Sequence, residues 1–381
     1  MMNMESTEYS YWMALAHMDG MYTANKMDLL IKCFKSQCSL SDFFMSSDDI
    51  KTRDFLMNAD EIERINLAKK QVPNYAFMVE SLLEQGYQLT TIWEEEYPRH
   101  LKQTMVKNSP LVLYTKGDRK LLQEDIVAIV GSRKASAISL QFTDNVAKKC
   151  VSAKKVVVSG YAKGIDRQAL ESTLAANGKS IVVLPQGITT FSSGYNHLYK
   201  EIIAGDVLVL SYFHPKAGWD VGLAMARNAV VYGLANDIFV AESDDKGGTW
   251  SGVISGLKMQ QKNSGIISIY VRVPIVTEKN ANNELISMGA RPVDMEGQIE
   301  ECNNAIDNME LIQTKILHLL QSRTMSPEEV VNALKLKWDK KRAKAFLDSL
   351  SAEGVVKVKK GRCNCYTIKT KSDDLFGGTL F

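Results

Sequence analysis

The sequence predicts a doubly wound α/β fold: a mostly parallel sheet between layers of helices, a helical cap before it, and a smaller unit of three helices and a hairpin after it. Short Val/Ile-rich runs alternate with segments of helical length through the middle of the chain. Runs that are apolar at every residue belong to strands buried on both faces. The stretch before them has apolar residues three and four apart, and the stretch after them carries a strong local positive charge.

At 381 residues the chain exceeds one ordinary domain, so a central core with satellites is expected. Residues 1–74 form the cap, with YSYWMALAHM and ADEIERINLAKK in helical period. After Pro73 the character changes: YQLTTIW and PLVLYT read as strands flanking a helix from Pro98 to about Val106. The main strand series follows as IVAIV (126–130), KVVVS (155–159), SIVVL (180–184), DVLVL (206–210), DIFVA (237–241) and IISIYV (266–271). The core is expected over residues 75–300, closing in a polar stretch from about Thr277 to Asn308.

In residues 309–370, MELIQTKILHLLQS gives one helix, Ser326-Pro327 caps a second, and WDKKRAKAFLDSLSAEG gives a third ending at Gly354. VVKVKKGRCNCYTI then reads as two strands around Gly361, which completes a winged helix. Its third helix holds Lys340, Lys341, Arg342 and Lys344, suited either to nucleic acid or to docking a protein. Residues 371–381 are too polar and glycine-rich to fold alone and are expected to be a flexible tail.

Apolar residues make up 45% and charged residues 24%, values of a chain that folds. The net charge of +2 hides an asymmetry: Lys315 to Lys371 holds 14 Lys or Arg against 5 Asp or Glu, and that end expects a polyanion. No run of about 18 apolar residues occurs, and MMNMESTEYSYW lacks the regions of a signal peptide. A cytoplasmic protein without membrane contact is therefore expected. None of the six cysteines forms a CxxC, which argues against a disulfide framework or zinc knuckle, and Cys363 and Cys365 read as packing on one strand face.

In doubly wound sheets ligands sit beyond the carboxyl ends of the strands. The first such loop is Gly131-Ser132-Arg133, where the N–H groups of Ser132 and Arg133 are expected to point outward at the start of a helix and hold an anion. That loop alone fits a tight turn with a solvated arginine equally well. The second, GYAKGID, offers Lys163 and Gly164, with Asp166 expected as the N-cap of the next helix. Arg227 and Asn228 are expected near the start of a third helix, with Arg227 on the surface, and Lys246-Gly247-Gly248-Thr249 makes a fourth glycine-rich turn. Four such loops on one sheet edge suggest a phosphate-binding surface.

Absent motifs narrow the ligand. Neither GxGxxG after a strand nor GxxxxGK[ST] occurs, the five histidines have no metal-ligand spacing, and no GxSxG marks a nucleophile. His214 follows a strand but fits packing better, and Asp244 and Asp245 fit a solvated turn better than a metal site. A binding protein without catalysis or cofactor is the simplest account.

IVAIVGSRKAS, VVVSGYAKGIDRQALESTLAANGKSIVVLPQGI and ARNAVVYGLAND resemble the DNA-processing protein A (DprA, or Smf) family, whose signatures are VAIVGSR, SGLARGID and RRNRIIAGLSD. YPRHLKQTMVKNSPLVLYTKGD and NNELISMGARPV resemble two further family segments, so the similarity runs in order from about Tyr75 to Val293. The resemblance implies an extended Rossmann fold that binds single-stranded DNA, forms homodimers through that core, and hands the DNA to a RecA-type recombinase, as in natural transformation. It implies that Gly131, Ser132, Arg133, Lys163, Gly164, Arg227, Asn228, Lys246, Gly248 and Thr249 line the DNA groove, and the family often carries a winged helix at this end. Asp374-Leu375-Phe376 faintly resembles peptides that dock into sliding clamps, with Leu375 and Phe376 as the anchors.

This chain departs from the pattern at Ala226 and Ala229, where the family has arginines, and at Gly247-Gly248-Thr249, which replaces SGS. Fewer cations favour one rival, a sensor of a small nucleotide, for example in phage defence. A second rival, a phosphoribohydrolase, lacks its PGGxGTxxE: Pro185-Gln186-Gly187 has no continuation.

Overall fold

The computed structural model describes residues 6–262, 265–275, 278–299, 313, 315–321, 323–334, 336, 338, 340–352, 355–359 and 364–368. Two compact units result, Met1–Ile299 and Glu300–Phe381.

The first unit opens with α1 (Ser6–His17), α2 (Thr23–Lys35), α3 (Leu40–Met45), α4 (Asp48–Arg53) and α5 (Ala59–Glu84). Asn58 and Glu61 close a capping box at the start of α5, satisfying backbone donors that the first helical turn leaves over. Pro73, expected to mark a boundary at residue 74, lies inside this 26-residue helix. Losing one N–H does not end a helix that packing holds on either side of it: Ile62, Ile65, Ala68, Val79 and Leu82 are buried. The cap also shares its core with the sheet, since Trp12, Met13 and Leu15 belong to the same apolar cluster as Val207 and Ile238. The Tyr9 hydroxyl donates to Glu94 at 2.7 Å, and His17 Nε2 shares a hydrogen bond with the Tyr114 hydroxyl at 2.7 Å. Burial holds His17 down to about pKa 3, so its imidazole stays neutral.

β1 (Gln88–Thr91), α6 (Arg99–Met105) and β2 (Val112–Lys116) come next. The remaining strands are β3 (Ile126–Val130), β4 (Val156–Ser159), β5 (Ser180–Val183), β6 (Val207–Ser211), β7 (Asp237–Val240), β8 (Ser268–Arg272) and β9 (Arg291–Val293). Between them lie α7 (Ala137–Ser152), α8 (Ile165–Ala175), α9 (Ser192–His197), α10 (Tyr199–Ala204), α11 (Val221–Leu234), α12 (Gly248–Lys262) and α13 (Asn282–Ser287). Among the described residues they form one nine-stranded sheet, ordered β1-β2-β6-β5-β4-β3-β7-β8-β9. β1 and β2 run antiparallel at one edge, and β6 through β9 are parallel in that order.

Side chains of β3 alternate between two cores, as a pleated strand requires. Val127 and Ile129 pack with Phe142 and Val146 of α7, while Ile126 and Ala128 belong to the cluster holding Val230 and Val231 of α11. The order reverses at β3, whose neighbours are β4 and β7, and this switch point opens a crevice between the loops that follow β3 and β7. The expected polar stretch after residue 277 contains α13 and β9, a short strand of pattern exposed, intermediate, buried that completes the sheet edge. Three residues carry too little periodicity to read as a strand.

In the second unit, α14 (residues 315–321), α15 (Pro327–Ala333) and α16 (Lys340–Ala352) precede an antiparallel pair, β10 (Val356–Lys359) and β11 (Cys365–Ile368). Ser326 and Glu329 form a capping box with Pro327 in the first turn of α15. Met325 pairs with Tyr366 as a third, isolated rung, and Ile316, Leu320, Val330, Leu347, Leu350 and Tyr366 make a core of their own. Gly354, Gly361, Cys363 and the tail with Leu375 and Phe376 lie outside the described residues.

Candidate functional site

A crevice of about 390 Å³ lies at the switch point of the first unit. Gly131, Ser132 and Arg133 line it from the end of β3, Arg227 and Asn228 from α11, and Lys246, Gly247, Gly248 and Thr249 from the start of α12. All four predicted segments thus reach the crevice. The second contributes Ala162 and Asp166, while Lys163 is exposed outside the lining.

The β3 loop is held by its neighbours. A Cβ on Gly131 would lie 2.6 Å from Ile165 Cγ1, so only glycine lets α8 approach this closely. Gly164 takes φ +80°, and a Cβ there would press into the carbonyl oxygens of Ser132 and Arg133, which locks the two loops together. The Ser132 N–H, expected to face outward, instead donates to the Glu242 carbonyl at 2.9 Å, because β7 lies directly alongside. Ser132 itself is buried, and its Oγ accepts from the Lys134 N–H at 3.1 Å. Arg133 remains exposed.

Asp166 and Arg227 take other roles than expected. The N-cap of α8 is Gly164, and Asp166 lies inside the helix, buried. Arg227 lies midway along α11, not at its start, and is 4% exposed. Its Nη1 sits 3.6 Å from Asp166 Oδ2. The guanidinium occupies the space where a side chain on residue 160 would go, so Gly160 makes room for it. Burial raises the Asp166 carboxyl above its ordinary value and lowers the Arg227 guanidinium, each opposed by the partner's charge. Such a pair joins β4, α8 and α11 beneath the crevice. Of the cations lining the crevice, Arg133, Lys134 and Lys246 remain exposed at the rim.

The rim opposite is the N-terminus of α12, with Gly247 at φ +93° turning the chain into it. Asn228 Nδ2 donates to the Gly248 carbonyl at 3.2 Å and ties α11 to this turn. Unpaired backbone N–H groups and the helix dipole make such an end favourable for an anion.

Residues that the sequence did not single out organise the loop after β7. Glu242 Oε2 accepts from both the N–H and Oγ of Ser136, at 3.0 and 2.7 Å, and Ser136 in turn caps α7. Arg272, fully buried, donates to Glu278 at 2.8 and 2.7 Å, to the Ala241 carbonyl at 3.0 Å and to Ser139 Oγ at 2.9 Å. Asn282 accepts from the Ser243 N–H and donates to the carbonyls of Ala241 and Arg272. The Arg272 hydrogen bonds hold Glu278 below the usual carboxylate value. Arg272 at a strand end was the available signal, though nothing local distinguishes it from a solvated arginine.

His214 packs at the cap junction, its ring centroid 5.3 Å from that of His17. Among the described residues no group of three His, Cys, Asp or Glu forms a metal-holding cluster, and no helix is long and apolar enough to cross a membrane. In the second unit Lys340 pairs with Glu328 at 2.7 Å, and Lys341 and Lys344 are exposed on the same helix as Arg342.

A parallel sheet reversing at β3, extended by two antiparallel strands and opening a glycine-rimmed crevice at the switch point, defines a Rossmann-like α/β protein. Within that class the chain belongs to the DNA recombination-mediator protein A family, whose profile matches residues 88–304. Protein Smf of Synechocystis sp. is 27% identical over 306 residues, 78% of this chain and 73% of that protein. DNA processing protein DprA of Streptococcus pneumoniae is 33% identical over 159 residues, covering 42% of this chain and 55% of the relative. The X-ray structure of DprA from Streptococcus pneumoniae aligns with 75% of this chain and 94% of its own, with a TM-score of 0.54 and 22% identity.

Proposed function

We propose that the protein binds single-stranded DNA along the switch-point crevice, without catalysing a reaction, and delivers it to a RecA-type recombinase. The observation that carries this reading is the convergence of Arg133, Asn228 and Lys246 with the N-terminus of α12 on one crevice. Arg133 is free to grip a phosphate with two parallel hydrogen bonds, while the start of α12 offers backbone N–H groups to the next. Lys163, exposed on the adjoining loop, extends the cationic track. Membership of the DNA recombination-mediator family supports the same ligand class.

The second unit is read as a winged helix, residues 309–370, that adds electrostatic affinity through Lys341, Arg342 and Lys344. The core is read as the homodimer interface, as the family resemblance implies.

A small-nucleotide sensor is the second reading, favoured by one observation: Arg227 is neutralised by Asp166, leaving fewer cations for a long polyanion. Titrating the protein with a single-stranded oligonucleotide, a duplex and nucleoside monophosphates separates the two. Tight, salt-dependent binding of the single strand supports the DNA reading; binding confined to the monophosphates replaces it with the sensor.

A further inference from the structure

Beside the crevice, and continuous with it through Met225, Asn228, Tyr232 and Gly248, runs a groove of about 210 Å³ between α11 and α12. Its lining is neutral. Met225 and Met259 contribute thioethers, α12 turns Gly252 and Ser255 toward it, and Ala229 stands where the family signature carries an arginine. Two polar atoms beneath this joint space have no hydrogen-bond partner among the described residues: the Tyr232 hydroxyl and Arg227 Nε. Both residues are more than nine-tenths buried, at 3% and 4% exposure. A buried donor without a partner is costly to a fold, and a ligand that supplies one recovers that cost.

We infer that this groove takes a nucleobase, whose phosphate lies in the adjoining crevice and whose polar edge meets the Tyr232 hydroxyl. The volume is below the roughly 300–1,000 Å³ of a drug-sized pocket and suits one ring system. Thioethers contact aromatic rings favourably, and a neutral wall suits an uncharged planar group better than a second phosphate. Tyr232 occupies a position where the family signature has alanine, so the hydroxyl is this chain's own feature. The inference rests on the nucleic-acid reading above, and the same base chemistry is present in a strand and in a free nucleotide.

Two substitutions test it without disturbing the fold. Tyr232→Phe keeps the ring and removes the hydroxyl. Gly252→Ala adds a Cβ at ordinary contact distance, 3.4 Å from the Tyr232 hydroxyl and 3.6 Å from Asn228 Nδ2, and favours the helix. A purely structural role predicts no loss of binding from the alanine. The full chain is titrated by fluorescence anisotropy with a labelled single strand of about 16 nucleotides, one groove's upper footprint, and with an abasic strand of equal phosphate count. A deoxynucleoside monophosphate serves as competitor.

The parent is expected to prefer the base-containing strand, Tyr232→Phe to shrink that preference roughly 2- to 10-fold, the worth of one hydrogen bond, and Gly252→Ala to shrink it by narrowing the groove, with abasic affinity unchanged. Variants that keep the parent's preference overturn the base groove while leaving the DNA reading intact. Failure of both strands to bind, with Tyr232-dependent binding of the monophosphate, keeps the base groove and overturns the DNA reading. Absence of all binding overturns both.

Discussion

The buried Asp166–Arg227 pair yields the sharpest prediction, because its neighbour Arg133 is a cation of the same type in a different environment. Arg227→Ala leaves Asp166 buried, its side chain 11% exposed, without the counter-charge 3.6 Å away. At an effective dielectric of about 20, Coulomb attraction at that separation is roughly 4–5 kcal/mol, and removing one partner of a buried pair costs about 3–5 kcal/mol. The expected destabilisation of the first unit is therefore about 3–5 kcal/mol. Pulse proteolysis in urea, read as loss of the 1–299 unit, measures it. The sign with pH is also set. Asp166 already titrates above its unfolded value because of burial, and losing Arg227 raises it further. The folded variant then holds a proton that the unfolded chain has released, so its defect should shrink as pH falls toward the unfolded aspartate value near 4. Replacing both partners, Asp166→Leu with Arg227→Met, should recover most of the loss. If Arg227→Ala unfolds within about 0.5 kcal/mol of the parent at pH 7, the pair does not hold the crevice floor and the argument fails.

Arg133→Ala should instead leave stability unchanged, weaken single-strand binding and flatten the slope of log affinity against log salt by about 0.7; Arg133→Lys should recover part of the affinity but not the bidentate grip. An unaltered salt slope in Arg133→Ala would remove it from the phosphate track. Glu278→Gln should cost roughly 1.5–3 kcal/mol at neutral pH. Because Glu278 titrates below its unfolded value, that cost should be present above about pH 4.3 and fade as pH falls through the folded value; a cost that persists in acid would show that the carboxylate charge is not what Arg272 needs. Gly164→Ala, at φ +80° against the carbonyls of Ser132 and Arg133, should destabilise by roughly 1–3 kcal/mol in thermal denaturation. Deleting residues from Met309 onward should leave the first unit folded and lower DNA affinity, whereas unchanged affinity at low salt would assign Lys341 and Lys344 to protein docking.

The main strands, the start of α15 and the crevice-lining loops were legible because their signals are local. Val/Ile runs mark strands buried on both faces, and Ser326 with Glu329 marks a helix start wherever it occurs. Gly131 and Gly247 announce turns for the same reason. What an arginine does is not local. Arg227 reads as a surface cation until α8 brings Asp166 against it, and Arg272 reads the same way until Glu278 and the end of β7 enclose it. The Ser132 N–H likewise found its acceptor in the loop after β7, more than a hundred residues on in the chain. Pro73 ended nothing because packing on both sides of it outweighs one lost hydrogen bond. The sequence alone determined where the chain turns and which residues are apolar. Only the tertiary structure decided which charges face solvent, because a charge's state depends on the dielectric and partners around it, and those are assembled from segments far apart in the chain.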